Sequence, residues 1–207
     1  MKRVFEDLWQ TNTEHPFSGF NTHAYLLQTE DSNVLIYNTS SRSEVDEFDE
    51  LGGVDYQYLS HRHEASESLN RIKEKYNNRL CISKIEAEHI GTDADIILEE
   101  GSELVEGLDV IFTPGHTGGG MCFYYRSPEG HSYLFTGDTY YISNGSLSTL
   151  IFPDHGGDSC SMKKSLLKLK ALSPDFIISS GSVGTTSIMQ VTEREWRSTI
   201  DMSLSNL

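Results

Sequence analysis

Short apolar runs rich in β-branched and aromatic residues dominate the first two thirds of the chain. AYLLQT (24–29) and NVLIYN (33–38) flank a tight polar connection, which predicts a hairpin. YQYLS (56–60), LCISKI (80–85), DIILE (95–99) and LDVIFT (108–113) read as further strands. MCFYYR (121–126) and SYLFT (132–136) bracket SPEGH, a second hairpin with a Pro and Gly turn. Four stretches have helical spacing instead. Val45, Phe48 and Leu51 form one face, stopped at Gly52. Leu69, Ile72 and Tyr76 form another, over 67–77, with Ser66 placed to cap it. Met162, Leu166, Leu169 and Leu172 form a third face, with Lys168 and Lys170 near the helix end. Thr192 and Glu195 make a capping-box pattern before Trp196 and Ile200. Strands mostly in hairpin runs, interrupted by helices, predict two facing sheets with helices outside.

Composition narrows what such a fold can do. The chain has 207 residues, the length of one large domain spanning 1–207, with 37% apolar and 23% charged residues. Its formal net charge is −15. Residues 85–125 hold nine acidic residues and no Lys or Arg, so nucleic acid is excluded as the expected partner. A polyanionic substrate is disfavoured unless a metal supplies positive charge. Cys81, Cys122 and Cys160 show no C-x-x-C spacing and predict no disulfide framework. No stretch has the length of a transmembrane segment, and MKRVFEDLWQ has no apolar leader core, so a cytoplasmic protein with no membrane partner is the expectation.

The candidate chemistry lies just past three strand ends. YQYLS is followed by His61 and His63, VIFTPG by His116, and YLFTG by Asp138. Strand C-termini are where open sheets place ligands. Imidazole nitrogen and carboxylate oxygen are standard donors to zinc and iron. Gly115, the three glycines after His116, and Gly137 before Asp138 give turns that aim one side chain each. His15, His23, His89, His131 and His155 lack this context, and His89 and His131 read as surface residues.

LSHRHEAS, TPGHTGGG and LFTGDT resemble, in order and strand context, three motifs of the metallo-β-lactamase superfamily. NTHAYLLQTEDSNVLIYN and SLLKLKALSPDFIISSGSVG resemble its opening hairpin and its late helix and strand. The spacing is closest to glyoxalase II and the persulfide dioxygenases. The resemblance implies an α+β fold, an αββα sandwich of two mixed β-sheets flanked by helices, with a metal site along one edge. It also exposes departures. Ala65 and Ser66 stand where the family's first motif ends in Asp-His, Ser180 or Ser182 where a late His is usual, and Asn38 where many members have Asp. The ligands of a second metal are thus missing, and the expected site holds one divalent ion, zinc or iron. Zinc would take His61, His63 and His116 plus water; iron would take His61, His116 and Asp138. Asp138 would ligate the ion, or else orient the attacking water. Glu64 and Glu67 are the other carboxylates near the motif, Glu64 being expected to face away by alternation with His63. The expected activity is hydrolysis of a small ester or thioester. The alternatives are iron-dependent oxidation of a small sulfur compound, or a non-catalytic binding protein.

Overall fold

The computed structural model describes residues 1–207, which divide into two compact units, 1–98 and 99–207. In the first unit, nine strands alternate with three short helices. They are β1 (Lys2–Phe5), β2 (Leu8–Gln10), β3 (Glu14–Phe17), β4 (Phe20–Thr22), β5 (Tyr25–Gln28), β6 (Asn33–Ile36), α1 (Arg42–Glu47), β7 (Tyr56–Tyr58), α2 (Ser68–Tyr76), β8 (Arg79–Ser83), α3 (Lys84–Ala87) and β9 (Ile96–Leu98). Seven strands form one mixed sheet in the order β1-β2-β5-β6-β7-β8-β9. The β5–β6 hairpin is antiparallel with Leu26 opposite Leu35, as its sequence predicts. From β6 onward the pairing is parallel, β6 to β7, β7 to β8 and β8 to β9. That departs from the expected run of hairpins. The connections carry α1, α2 and α3, and a strand that returns parallel needs such a crossover.

Val45 and Phe48 are buried on α1 and the 3-10 turn that follows it, which Gly52 ends at φ 94°. Leu69 and Ile72 are buried on α2. The strand expected at 80–85 is shorter, because the Ser83 hydroxyl accepts from Glu86 N and starts α3 at Lys84. β3 and β4 pair as an antiparallel hairpin that the sequence pattern did not single out.

The second unit contains β10 (Leu108–Phe112), β11 (Met121–Arg126), β12 (Ser132–Gly137), β13 (Tyr141–Ser143), β14 (Ser146–Ser148), α4 (Ser159–Leu169), β15 (Phe176–Ser179), β16 (Gly181–Val183), β17 (Ile188–Gln190) and α5 (Glu193–Asn206). Its larger sheet runs β10-β11-β12-β15-β17, with β12 and β15 parallel. α4 and α5 contribute Met162, Leu166, Leu169, Trp196 and Ile200 to a core shared with Ile111, Cys122, Leu134 and Ile177. Trp196 meets Tyr140 edge-on at 5.8 Å and donates its indole N–H to Leu169 O at 3.1 Å, so its one polar atom is satisfied in the interior. The capping box of Thr192 and Glu195 forms as its pattern predicts. No helix is long and apolar enough to cross a membrane.

Candidate metal centre

In the first unit, β7 leads into Ser60 and an extended His61, and Arg62–Glu64 then close a 3-10 turn. The H-x-H segment is therefore not a continuing strand. Its rings meet edge to face at 5.0 Å, His61 being buried and His63 exposed. The turn also overturns the expectation that Glu64 faces away. A 3-10 turn sets residue i+3 over residue i, and Glu64 folds back beneath His61. Ser60 N donates to Glu64 Oε2 at 2.8 Å and Ser60 Oγ donates to Oε1 at 2.5 Å. His61 Nδ1 lies 2.9 Å from Ser60 Oγ.

Arg62, between the two histidines, is braced from α3. Its backbone N and its Nε donate to Glu86 Oε2 at 2.9 and 2.7 Å, and Nη2 donates to Oε1 at 3.2 Å. Where the sequence lacks an Asp-His pair, a neutral network stands instead. Asn38 Nδ2 donates to Glu64 O at 2.9 Å and to Ser66 Oγ at 3.0 Å. Asn38 Oδ1 accepts from Ser68 Oγ and from Gln57 Nε2, each at 3.0 Å. Tyr37, at φ 70°, turns the chain after β6 so that Asn38 reaches this loop. Ser66 is therefore not the helix cap expected from the spacing. Its hydroxyl accepts from Ser68 N at a long 3.4 Å, while Glu67 occupies the cap position of α2 without a side-chain bond.

In the second unit, His116 sits in the turn after β10. Gly115 has φ 147°, and a Cβ there would lie 2.6 Å from Met162 Cα in α4. The loop is clamped from 150–157. His116 Nδ1 donates to Leu150 O at 2.9 Å, Phe152 N donates to His116 O at 3.0 Å, and the Phe152 ring meets the imidazole edge-on at 5.2 Å. A Cβ on Gly157 would lie 2.3 Å from His116 O, so this approach needs glycine. Asp138 follows β12. Its Oδ1 accepts from Ser180 Oγ at 3.0 Å, and its Oδ2 lies 3.5 Å from His116 Nε2. Ser182 is buried on β16.

Donor and acceptor chemistry settles what these atoms can hold. A carbonyl only accepts, so His116 carries a proton on Nδ1, and in the neutral ring Nε2 is the atom left to bind an ion. Nε2 and a carboxylate oxygen of Asp138 face each other at 3.5 Å. Two ligands of a tetrahedral ion with bonds of 2.0–2.1 Å stand about 3.3 Å apart. The pair has the spacing of two donors to one cation. The other atom of each group is tied off, Nδ1 by Leu150 and Oδ1 by Ser180.

Elsewhere the histidines do other work. His23 Nδ1 donates to Thr11 O at 3.0 Å, and burial lowers its pKa. His155 stacks on Phe152 at 5.8 Å, His131 meets Phe176 edge-on, and His15 and His89 are exposed. Burial pushes the Cys81 thiol up to about 12 and the Cys122 thiol to about 11, so neither is a thiolate nucleophile. Ser60, Leu150 and Phe152 carried no signal in the sequence. Glu64 did, through its i+3 spacing from His61.

A profile described as "Metallo-beta-lactamase superfamily" matches residues 43–181. No curated protein sequence matches the chain. Among solved structures, the metallo-β-lactamase FIM-1 from Pseudomonas aeruginosa in its mono-zinc form is similar at 15% identity and TM-score 0.75, covering 99% of this chain and 94% of that one. TTHA1623 in a di-iron-bound form is similar at 23% identity and TM-score 0.65, covering 86% and 93%. An archaeal metallo-β-lactamase superfamily protein from Sulfolobus tokodaii is similar at 18% identity and TM-score 0.66, covering 96% and 85%.

Proposed function

Because the chain belongs to the metallo-β-lactamase superfamily and has its α+β fold of mixed sheets flanked by helices, we propose that it is a metal-dependent hydrolase of a small ester or thioester. We assign the ion to His61, His63, His116 and Asp138, whose ligand atoms lie within 4.8 Å of one another. The observation that carries the reading is the approach of His116 Nε2 and Asp138 Oδ2 to 3.5 Å, two possible ligand atoms of groups whose other atoms are already bonded. Three imidazoles and one carboxylate suit either zinc or iron.

The site takes a single ion. A second would need further anionic or imidazole ligands. The Ala65 side chain has no donor atom, and the Ser66 hydroxyl is engaged with Asn38 and Ser68.

When bound, the ion supplies Lewis-acid polarisation of the scissile carbonyl and lowers the pKa of a water. The protein's own residues place the substrate and move protons. Asp138 is the carboxylate at the reacting centre, with Ser180 fixing its orientation. Glu64 is committed to Ser60 and is removed from candidacy as a general base. Leu150 and Phe152 are partly exposed and adjoin His116, and we assign them contact with the carbon chain of an acyl group.

The test is turnover of a panel of small thioesters and esters by zinc-loaded and iron-loaded protein, with His116→Ala as control. The expected result is hydrolysis by the loaded wild type and loss of at least a thousandfold in the variant. Absence of hydrolysis, with metal-dependent oxygen uptake on a thiol or persulfide, would replace this reading by the oxygenase one.

A further inference from the structure

Two carboxylates brace the His61–His63 turn. That of Glu86 is engaged by Arg62. We infer that the other, Glu64, is a positioning residue for His61, acting through the Ser60 hydroxyl to keep the imidazole proton on Nδ1 and the lone pair on Nε2. The inference rests on the metal reading above, and it deepens that reading by naming what prepares one ligand.

The assignment follows from counting protons. An ionised carboxylate only accepts. Glu64 Oε2 accepts from Ser60 N at 2.8 Å, and Oε1 accepts from Ser60 Oγ at 2.5 Å. The Ser60 hydroxyl has one proton and gives it to Glu64. Toward His61 Nδ1, at 2.9 Å, it is therefore an acceptor, and Nδ1 must be the donor. Glu64 Oε1 is itself 3.4 Å from Nδ1 and attracts the same proton. Ser60 and His61 are buried and the Glu64 side chain is 6% exposed, so water does not compete for these bonds. Buried partners of this kind orient a ligating imidazole and raise its basicity.

Glu64→Gln replaces one carboxylate oxygen by an NH₂ group and inverts the order. The Ser60 backbone N–H is a fixed donor and takes the Gln carbonyl oxygen. The amide NH₂ then faces Ser60 Oγ, which becomes an acceptor on that side and donates to His61 Nδ1. The imidazole proton moves to Nε2, onto the ligand atom.

Two readouts follow. Long-range ¹H–¹⁵N spectra of the metal-free protein should show His61 as the Nδ1–H tautomer in the wild type and as Nε2–H in Glu64→Gln. Zinc affinity, measured by competition with a chromophoric chelator, should fall about 10–100-fold in the variant. Ser60→Ala removes the relaying hydroxyl and should weaken the Nδ1–H preference and lower zinc affinity several-fold; an unchanged tautomer and affinity there would show that the hydroxyl relays nothing. A wild type that binds no zinc would sink the metal reading, while its tautomer would still decide the relay. Zinc binding by the wild type with unchanged tautomer and affinity in Glu64→Gln would overturn the inference alone. If the Gln variant does not fold, an Nε2–H tautomer in the wild type overturns it equally.

Discussion

Arg62 is held at its backbone and its guanidinium by one carboxylate, and that carboxylate is fully buried. Removing one partner of such a pair leaves an uncompensated charge in the interior, which costs about 3–5 kcal/mol. Glu86→Ala should lower unfolding stability in urea by that amount, and the double change Arg62→Met with Glu86→Leu should recover most of it. A loss under about 1 kcal/mol would show that the brace is not structural. At the other histidine the constraint is steric. Gly115→Ala combines φ 147° with a Cβ 2.6 Å from the α4 backbone, which cannot swing aside as a side-chain end could. The variant should bind metal more weakly by at least tenfold while keeping its far-ultraviolet spectrum, both read in one titration.

The four candidate ligands were legible in the sequence because each follows an apolar run and a turn. Glu64 was misread because alternation applies to a strand, and the chain leaves strand geometry at Arg62. Leu150 holds His116 through its carbonyl, an atom every residue has, so its role was invisible in the sequence.

Among the elements, periodicity found the α1, α2, α4 and α5 segments and the β5–β6 and β11–β12 hairpins. It did not find parallel pairing, because direction is set by the crossover connections and leaves no period in the strand itself. Strands of three residues such as β4, β13 and β14 are too short to show alternation. The segment leading from β4 into β5 carries a pH dependence. Burial lowers the His23 pKa, against the opposing pull of its bond to Thr11 O and the charges of Glu14 and Glu44. The folded state then binds fewer protons than the unfolded one below the ordinary value of 6.5. His23 therefore contributes its stability above that value, and the contribution is lost as pH falls through the lowered folded value. In denaturant titrations from pH 7 to 5, His23→Gln should flatten the loss of stability. An unchanged slope would assign it to other groups.

At the scale of the molecule, the formal charge of −15 favours capture of a cation by long-range attraction. The four proposed ligands come from distant stretches of sequence, His61 and His63 from one and His116 and Asp138 from another. Neither stretch by itself offers the three protein ligands of a catalytic zinc site. Zinc should therefore raise the unfolding temperature in calorimetry, and His116→Ala should remove the gain. An unfolding temperature unmoved by zinc would contradict the proposed ion.

The central claim is one ion on His61, His63, His116 and Asp138. The direct measurement is elemental analysis of metal-free protein after equilibration with excess zinc, and separately with ferrous iron, followed by removal of loosely bound ions. The account predicts saturation at one ion per chain in the wild type and near zero in His116→Ala. Two tightly held ions per chain, or full occupancy retained by His116→Ala, would contradict it.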